Sequence, residues 1–87
     1  MRKLWHDDAW ADYLSFQSED KRTLKKINQL IQSIERNGYN GIGKPEPLKE
    51  DLATWWSCRI DEKNRLIFRL KDDILEISAC KGHYGDK

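Results

Sequence analysis

The sequence predicts a single α+β domain, with a short strand, two amphipathic helices and an antiparallel meander whose apolar face the helices can cover. Three observations predict it. Apolar residues recur at helical spacing from Ala9 to Ile34, then switch to period two from Trp55 to Cys80. A chain of 87 residues leaves room for one small core, so the domain is expected to span 1–87.

Lys3-Leu4-Trp5 reads as the first strand. Asp7 or Asp8 then offers an N-cap, and Ala9, Trp10, Tyr13, Leu14 and Gln17 follow at helical spacing. The polar run Ser18-Glu19-Asp20 breaks that helix. In the second, Leu24, Ile27, Leu30, Ile31 and Ile34 form one stripe opposite a wet side of Lys21, Lys25, Lys26, Gln29, Gln32 and Glu35, and Gly38 is a natural stop. Tyr39 to Leu52, with its glycines and prolines, reads as a loop. The strands of the meander are Trp55–Ile60, Arg65–Leu70 and Ile74–Cys80.

Matching apolar faces sets the register, because a slip of one residue would expose them. It pairs Trp56 with Phe68 and Cys58 with Leu66, which sets Arg59 directly opposite Arg65. Like charges facing each other are unfavourable in a bare sheet but suit an anion site. In the last hairpin Phe68 pairs with Ile77, Leu66 with Ala79, Arg69 with Glu76 and Arg65 with Cys80. One face is then apolar and the other carries Arg59, Arg65 and Arg69. Cys58 and Cys80 are expected on opposite faces, which argues against a disulfide between them.

Composition limits the function less than the pattern does. The net charge is +1, lower than is usual for a dedicated nucleic-acid domain, so any RNA contact must come from a concentrated basic surface. No run has the apolar length of a membrane span and no signal peptide precedes Trp5. With two cysteines, this points to free thiols in a reducing, cytoplasmic setting without membrane association. The cysteines and histidines are His6, Cys58, Cys80 and His83, without the close-spaced pairs of a structural zinc site, so no metal or other cofactor is expected.

Three groups could do chemistry. In "GKPEPLK", Pro45 and Pro47 hold Glu46 in an extended frame, with Lys44 and Lys49 at its sides. Such a frame can aim a carboxylate, and it can equally be a rigid solvated loop. Arg59 and Arg65 can donate paired hydrogen bonds to phosphate oxygens, or form a solvated face softened by Glu76 and Asp61. His83-Tyr84 follows the last strand, and histidine, with a reference pKa of ~6.5, can exchange a proton at neutral pH. Strict alternation puts His83 on the face away from the arginines, and Gly82 can break that phase by a bend or bulge. A base, an acid and two arginines together suit cleavage of RNA through its own 2′-hydroxyl, with the glutamate ionised at neutral pH as a base should be.

From Lys3 to Tyr84 the chain resembles the YoeB toxins of the RelE/ParE toxin superfamily. The stretches that carry the resemblance are "WADYLSFQSEDKRTLKKINQLI", "GIGKPEPLK", "WSCRIDEKNRLIF" and the closing "HY". It implies a microbial ribonuclease-like fold, β-α-α-β-β-β-β with an antiparallel sheet, and a homodimer. It also implies metal-independent cleavage of messenger RNA in the ribosomal A site, and inhibition by a YefM-like antitoxin. By the same resemblance Glu46 is the general base, His83 the general acid, and Arg65 the phosphate-stabilising arginine. Tyr84 positions the scissile nucleotide, and Lys49 and Arg59 are supporting basic contacts; Lys44, read from its place beside Glu46, could also pair with phosphate. Where the family often has two adjacent arginines this chain has Cys58-Arg59, which implies one basic contact fewer. Where the family commonly stops at the tyrosine, Gly85-Asp86-Lys87 follows.

Two other functions fit the same fold. One is a ParE-like toxin that blocks DNA gyrase, which would need no acid-base pair. The other is an antitoxin-binding remnant without catalysis.

Overall fold

The computed structural model describes residues 1–49 and 54–82. In chain order the elements are β1 (Arg2–Trp5), α1 (Asp7–Glu19), α2 (Lys21–Asn37), β2 (Glu46–Pro47), β3 (Trp56–Arg59), β4 (Arg65–Lys71) and β5 (Ile74–Ala79), with a 3-10 turn at Gly38–Asn40. The strands form one sheet in the order β1-β5-β4-β3-β2.

The α+β class and the element order agree with expectation, but the sheet is mixed rather than antiparallel. β1 runs parallel to β5, with Arg2 beside Ile74 and Trp5 beside Ile77. A parallel neighbour needs a long crossover, which both helices and the other strands supply. Such a pairing leaves no local sequence signal. β2 is the strand that the resemblance places before the three of the meander; it has two residues and falls inside the stretch whose pattern reads as a loop. It lies at the sheet edge, where Pro47 can occupy a strand without breaking a ladder of hydrogen bonds.

α1 begins at Asp7, with His6 at the N-cap and no side-chain cap. Asp7 and Asp8 therefore lie in the first turn rather than at the cap, where their charges favour the positive end of the helix dipole. Asp20 ends α1 and starts α2. Its carboxylate accepts from the Thr23 hydroxyl at 2.7 Å and from Thr23 N at 3.1 Å, bonds that hold its pKa below the usual value. α2 buries Thr23, Ile27, Leu30, Ile31 and Ile34, and Gly38 ends it at φ 60.

These side chains meet Ala9 and Phe16 of α1 and the inner face of the sheet: Cys58, Leu66, Phe68, Leu75, Ile77 and Cys80. Tyr39 closes one end of the core. Its ring stacks on Trp56 at 4.0 Å and its hydroxyl oxygen accepts from Leu70 N at 2.8 Å. None of the helices among the described residues is long and apolar enough to cross a membrane.

The β3–β4 register is as expected, Trp56 with Phe68, Cys58 with Leu66 and Arg59 with Arg65. β4 and β5 start as expected, with Phe68 beside Ile77 and Arg69 beside Glu76. Then the pairing shifts by one, so that Ala79 faces Ile67 and not Leu66. Ser78 is the extra residue of a β-bulge.

The shift corrects two expectations. Arg65 is not paired with Cys80, and Cys80 does not share the arginine face. It turns back into the core with Cys58, and its thiol donates to the Ala9 carbonyl at 3.4 Å. Ala79 and Cys80 are both small enough to bury, so apolar pattern alone does not choose between the two phases. Both cysteines are free, and burial pushes each thiol up to about 12, which leaves little nucleophilic thiolate.

Candidate functional site

The face of the sheet turned away from the helices carries a small open cleft between the edge strand and the β3–β4 hairpin. It encloses about 80 Å³ and is lined by Gly43, Lys44, Glu46, Ser57, Arg59 and Arg65. That is well below the ~300 Å³ of the smaller ordinary ligand pockets. Its size and cationic lining suit one phosphate group, with the rest of a ligand lying outside.

The approach to the cleft is held by Gly43. Its carbonyl accepts from Arg59 N at 2.7 Å, and its φ of 84 lies in the region that favours glycine. A Cβ at this position would come within 2.6 Å of Leu30 Cδ2 and 3.3 Å of both the Arg59 carbonyl oxygen and Cys58 Cβ. Only glycine lets the loop lie this close to the core. Lys44 follows with φ 52, where Pro45 next to it disfavours the right-handed helical alternative. Glu46 then pairs with Ser57, Pro47 with Trp56, and Leu48 N donates to the Trp55 carbonyl at 2.8 Å. The proline-framed glutamate is therefore tied to the sheet two strand spacings, roughly 10 Å, from β4.

Arg59 and Arg65 face each other across the β3–β4 hairpin. The turn between them is built on Asp61, whose Oδ1 accepts from Lys63 N and Asn64 N, both at 2.8 Å. Burial opposes ionisation of Asp61, but these bonds and one from the Asn64 amide outweigh it and hold its pKa below the usual value. Arg65 Nη1 donates to the carbonyls of Asp61 at 2.7 Å and Asn64 at 3.2 Å. This fixes the guanidinium by one corner. Among the described residues no carboxylate pairs with Arg59 or Arg65, and nothing accepts from Arg65 Nε or Nη2. Two facing cations that pair with no described carboxylate, with Glu46 on the same lining, make a ready place for an anion.

The third arginine of this face is used differently. Arg69 Nε donates to Glu76 Oε1 at 2.8 Å, and the guanidinium lies 4.3 Å over the Trp55 ring. His6 Nε2 donates to Glu76 Oε2 at 2.7 Å. The His6 hydrogen bond first, then the hydrogen bond and charge of Arg69, against an opposing effect of burial, hold the Glu76 carboxyl below its ordinary range. A group depressed on folding adds stability above its unfolded pKa and loses it as pH falls through the folded one. Glu76→Gln is therefore expected to lower stability at pH 7 by about 1 kcal/mol or less, since the pair is partly exposed and screened. The deficit should fade below about pH 4. Urea titrations at pH 7 and pH 3 check this, and an equal deficit at both would contradict it.

Of the residues singled out in the sequence, Lys44, Glu46, Arg59 and Arg65 come together at the cleft. Lys49 is exposed just beyond β2 and does not line it. His83 and Tyr84 lie outside the described residues, as do Gly85, Asp86 and Lys87. Cys58 faces the core, so a cysteine in place of an arginine removes nothing from the cleft lining. Sequence reasoning missed Gly43 and Ser57. Alternation along β3 did contain the signal for Ser57, which sits between two core residues and so on the arginine face. Gly43 gave no signal, because only its approach to Leu30 shows why it is needed.

A family model described as a YoeB-like toxin of bacterial type II toxin-antitoxin systems matches residues 5–84. Toxin YoeB of Escherichia coli K12 is 49% identical over 84 residues, covering 97% of this chain and all of the relative. The structure of a YoeB dimer from Staphylococcus aureus superposes with a TM-score of 0.91 at 44% identity, over 97% of this chain and 98% of the other. A YoeB-YefM complex from the same organism gives 0.90 at 42% identity, with the same coverage.

Proposed function

Since this chain belongs to the YoeB-like toxins of bacterial type II toxin-antitoxin systems, we propose that it is a ribosome-dependent endoribonuclease that cleaves messenger RNA in the A site. The observation that supports this most is the cleft in which Glu46 shares one phosphate-sized space with Arg59 and Arg65. The ribosome supplies most of the RNA contact, which suits a toxin with a net charge of only +1.

Glu46 acts as the base and takes the proton of the 2′-hydroxyl. The resulting oxygen attacks the adjacent phosphorus, and the bond to the 5′-oxygen breaks as His83 protonates it, leaving a 2′,3′-cyclic phosphate. Arg65 and Arg59 offset the charge that builds on the phosphate oxygens, Tyr84 positions the scissile nucleotide, and Lys44 and Lys49 hold neighbouring phosphates. Each proton transfer supplies roughly 10²–10⁴ in rate, and preorganised phosphate stabilisation is of similar size. The mechanism uses no metal. The protein works in the cytoplasm as a homodimer, like its dimeric S. aureus relative. It is silenced by a YefM-like antitoxin, as suits its likeness to the toxin of the YoeB-YefM complex.

Primer-extension mapping of a message in a translation extract tests the proposal, with and without ribosomes. The parent is expected to cut only with ribosomes, and Glu46→Ala and His83→Ala to lose the cut. Unchanged cutting in both variants would remove the acid-base mechanism. A parent that cuts nothing but abolishes DNA supercoiling would instead be a gyrase blocker.

A further inference from the structure

β5 ends at Ala79, yet the chain beyond it is held at Gly82. The Gly82 amide donates to Asn64 Oδ1 at 2.9 Å, and its carbonyl accepts from Arg65 N at 2.9 Å. The next residue in sequence is His83. We propose that Asn64 is a positioning residue, whose side-chain carbonyl anchors the chain just before His83 to the hairpin that carries Arg65. The inference rests on the reading of His83 as the acid and Arg65 as the phosphate-binding arginine.

The orientation of the Asn64 amide follows from its neighbours. Its Nδ2 lies 3.2 and 3.3 Å from the two carboxylate oxygens of Asp61. An ionised carboxylate only accepts, so the amide nitrogen must face Asp61 and the amide oxygen must face Gly82 N, which only donates. Asp61 is itself locked by the Lys63 and Asn64 amides, and its carbonyl holds Arg65 Nη1. One turn thus holds the guanidinium and Gly82 together.

A plainer role for Asn64, as a turn residue alone, is met by its main chain. Its N–H donates to Asp61 Oδ1 and its carbonyl accepts from Ile60 N and Asp61 N, bonds that survive truncation of the side chain. The side chain has the separate task of reaching Gly82. That task matters because Gly82 lies beyond the last paired residue of β5, Ala79, and adopts φ 91 with nothing within 4 Å of where a Cβ would stand. Two hydrogen bonds hold it there, one to Asn64 Oδ1 and one from Arg65 N.

The test uses the whole protein, the variant Asn64→Ala and the double variant Asp61→Asn with Asn64→Asp. The double variant swaps charge and amide, so that the carboxylate accepts from both Gly82 N and the new amide. Asn64→Ala is expected to speed hydrogen exchange of the Gly82 amide roughly fivefold to tenfold. It should also slow single-turnover cleavage on ribosomes by roughly tenfold or more, with ribosome affinity and melting temperature little changed. The swap is expected to recover both. Unchanged exchange in Asn64→Ala overturns the anchor, whatever the cleavage result. Faster exchange with unchanged cleavage overturns the positioning role. Faster exchange in a protein whose parent does not cleave leaves the anchor standing and refutes the ribonuclease reading instead.

Discussion

Arg65→Ala is expected to slow ribosome-dependent cleavage by roughly 10²–10³-fold with the fold intact. The guanidinium is held by Nη1 on two carbonyls of its own turn, and among the described residues its other nitrogens have no partner. It is oriented before any ligand arrives, which is what makes a charge effective at a developing transition state. Truncation leaves the Asp61 and Asn64 carbonyls at a partly exposed hairpin where water can reach them, so the stability loss should be small. Arg65→Lys keeps the charge but lacks the fork needed to grip both the turn and a phosphate. It should fall between parent and alanine, with a lower rate at saturating ribosomes rather than weaker binding. Single-turnover rates with thermal melts decide this. A parent-like rate in Arg65→Ala would remove the residue from the reaction.

The second large effect is expected at Gly43. Gly43→Ala puts a methyl 2.6 Å from Leu30 Cδ2 and forces alanine to φ 84. Leu30 is fully buried, and another contact is to the main chain at Arg59. Backbone strain and overpacking together should cost about 2–4 kcal/mol. The loop would relieve this by lifting off β3, which breaks the bond from Arg59 N and moves Lys44 and Glu46 away from the arginines. Loss of cleavage should therefore accompany loss of stability, as measured by urea unfolding and primer extension. An unfolding midpoint equal to the parent's would show that the close approach at Gly43 carries no load.

The two predictions draw on parts of the site that differ in legibility. Arg59 opposite Arg65 was readable because Trp56 and Cys58 on one strand match Leu66 and Phe68 on the other at period two. The docking of Gly43 was not, since it depends on residues from α2 and β3 that meet only in three dimensions. Glu46 stands between these cases. Its extended frame followed from Pro45 and Pro47, but its pairing with Ser57 did not, because two residues are too few to show a period.

The sequence by itself determined the two helices, the three strands of the meander, the break at Asp20 and the arginine face. Each arises from a period or a cap within a short window, where one stretch of chain chooses its own conformation. Tertiary structure alone decided that β1 lies parallel to β5, that Ser78 bulges, and that the Asp61–Asn64 turn reaches Gly82. The bulge shows why. Ala79 and Cys80 are equally fit for burial, so the choice falls to distant partners, the pairing with Ile67 and the Ala9 carbonyl on α1. Two registers of similar local energy are separated only by contacts that form after the chain has folded back on itself.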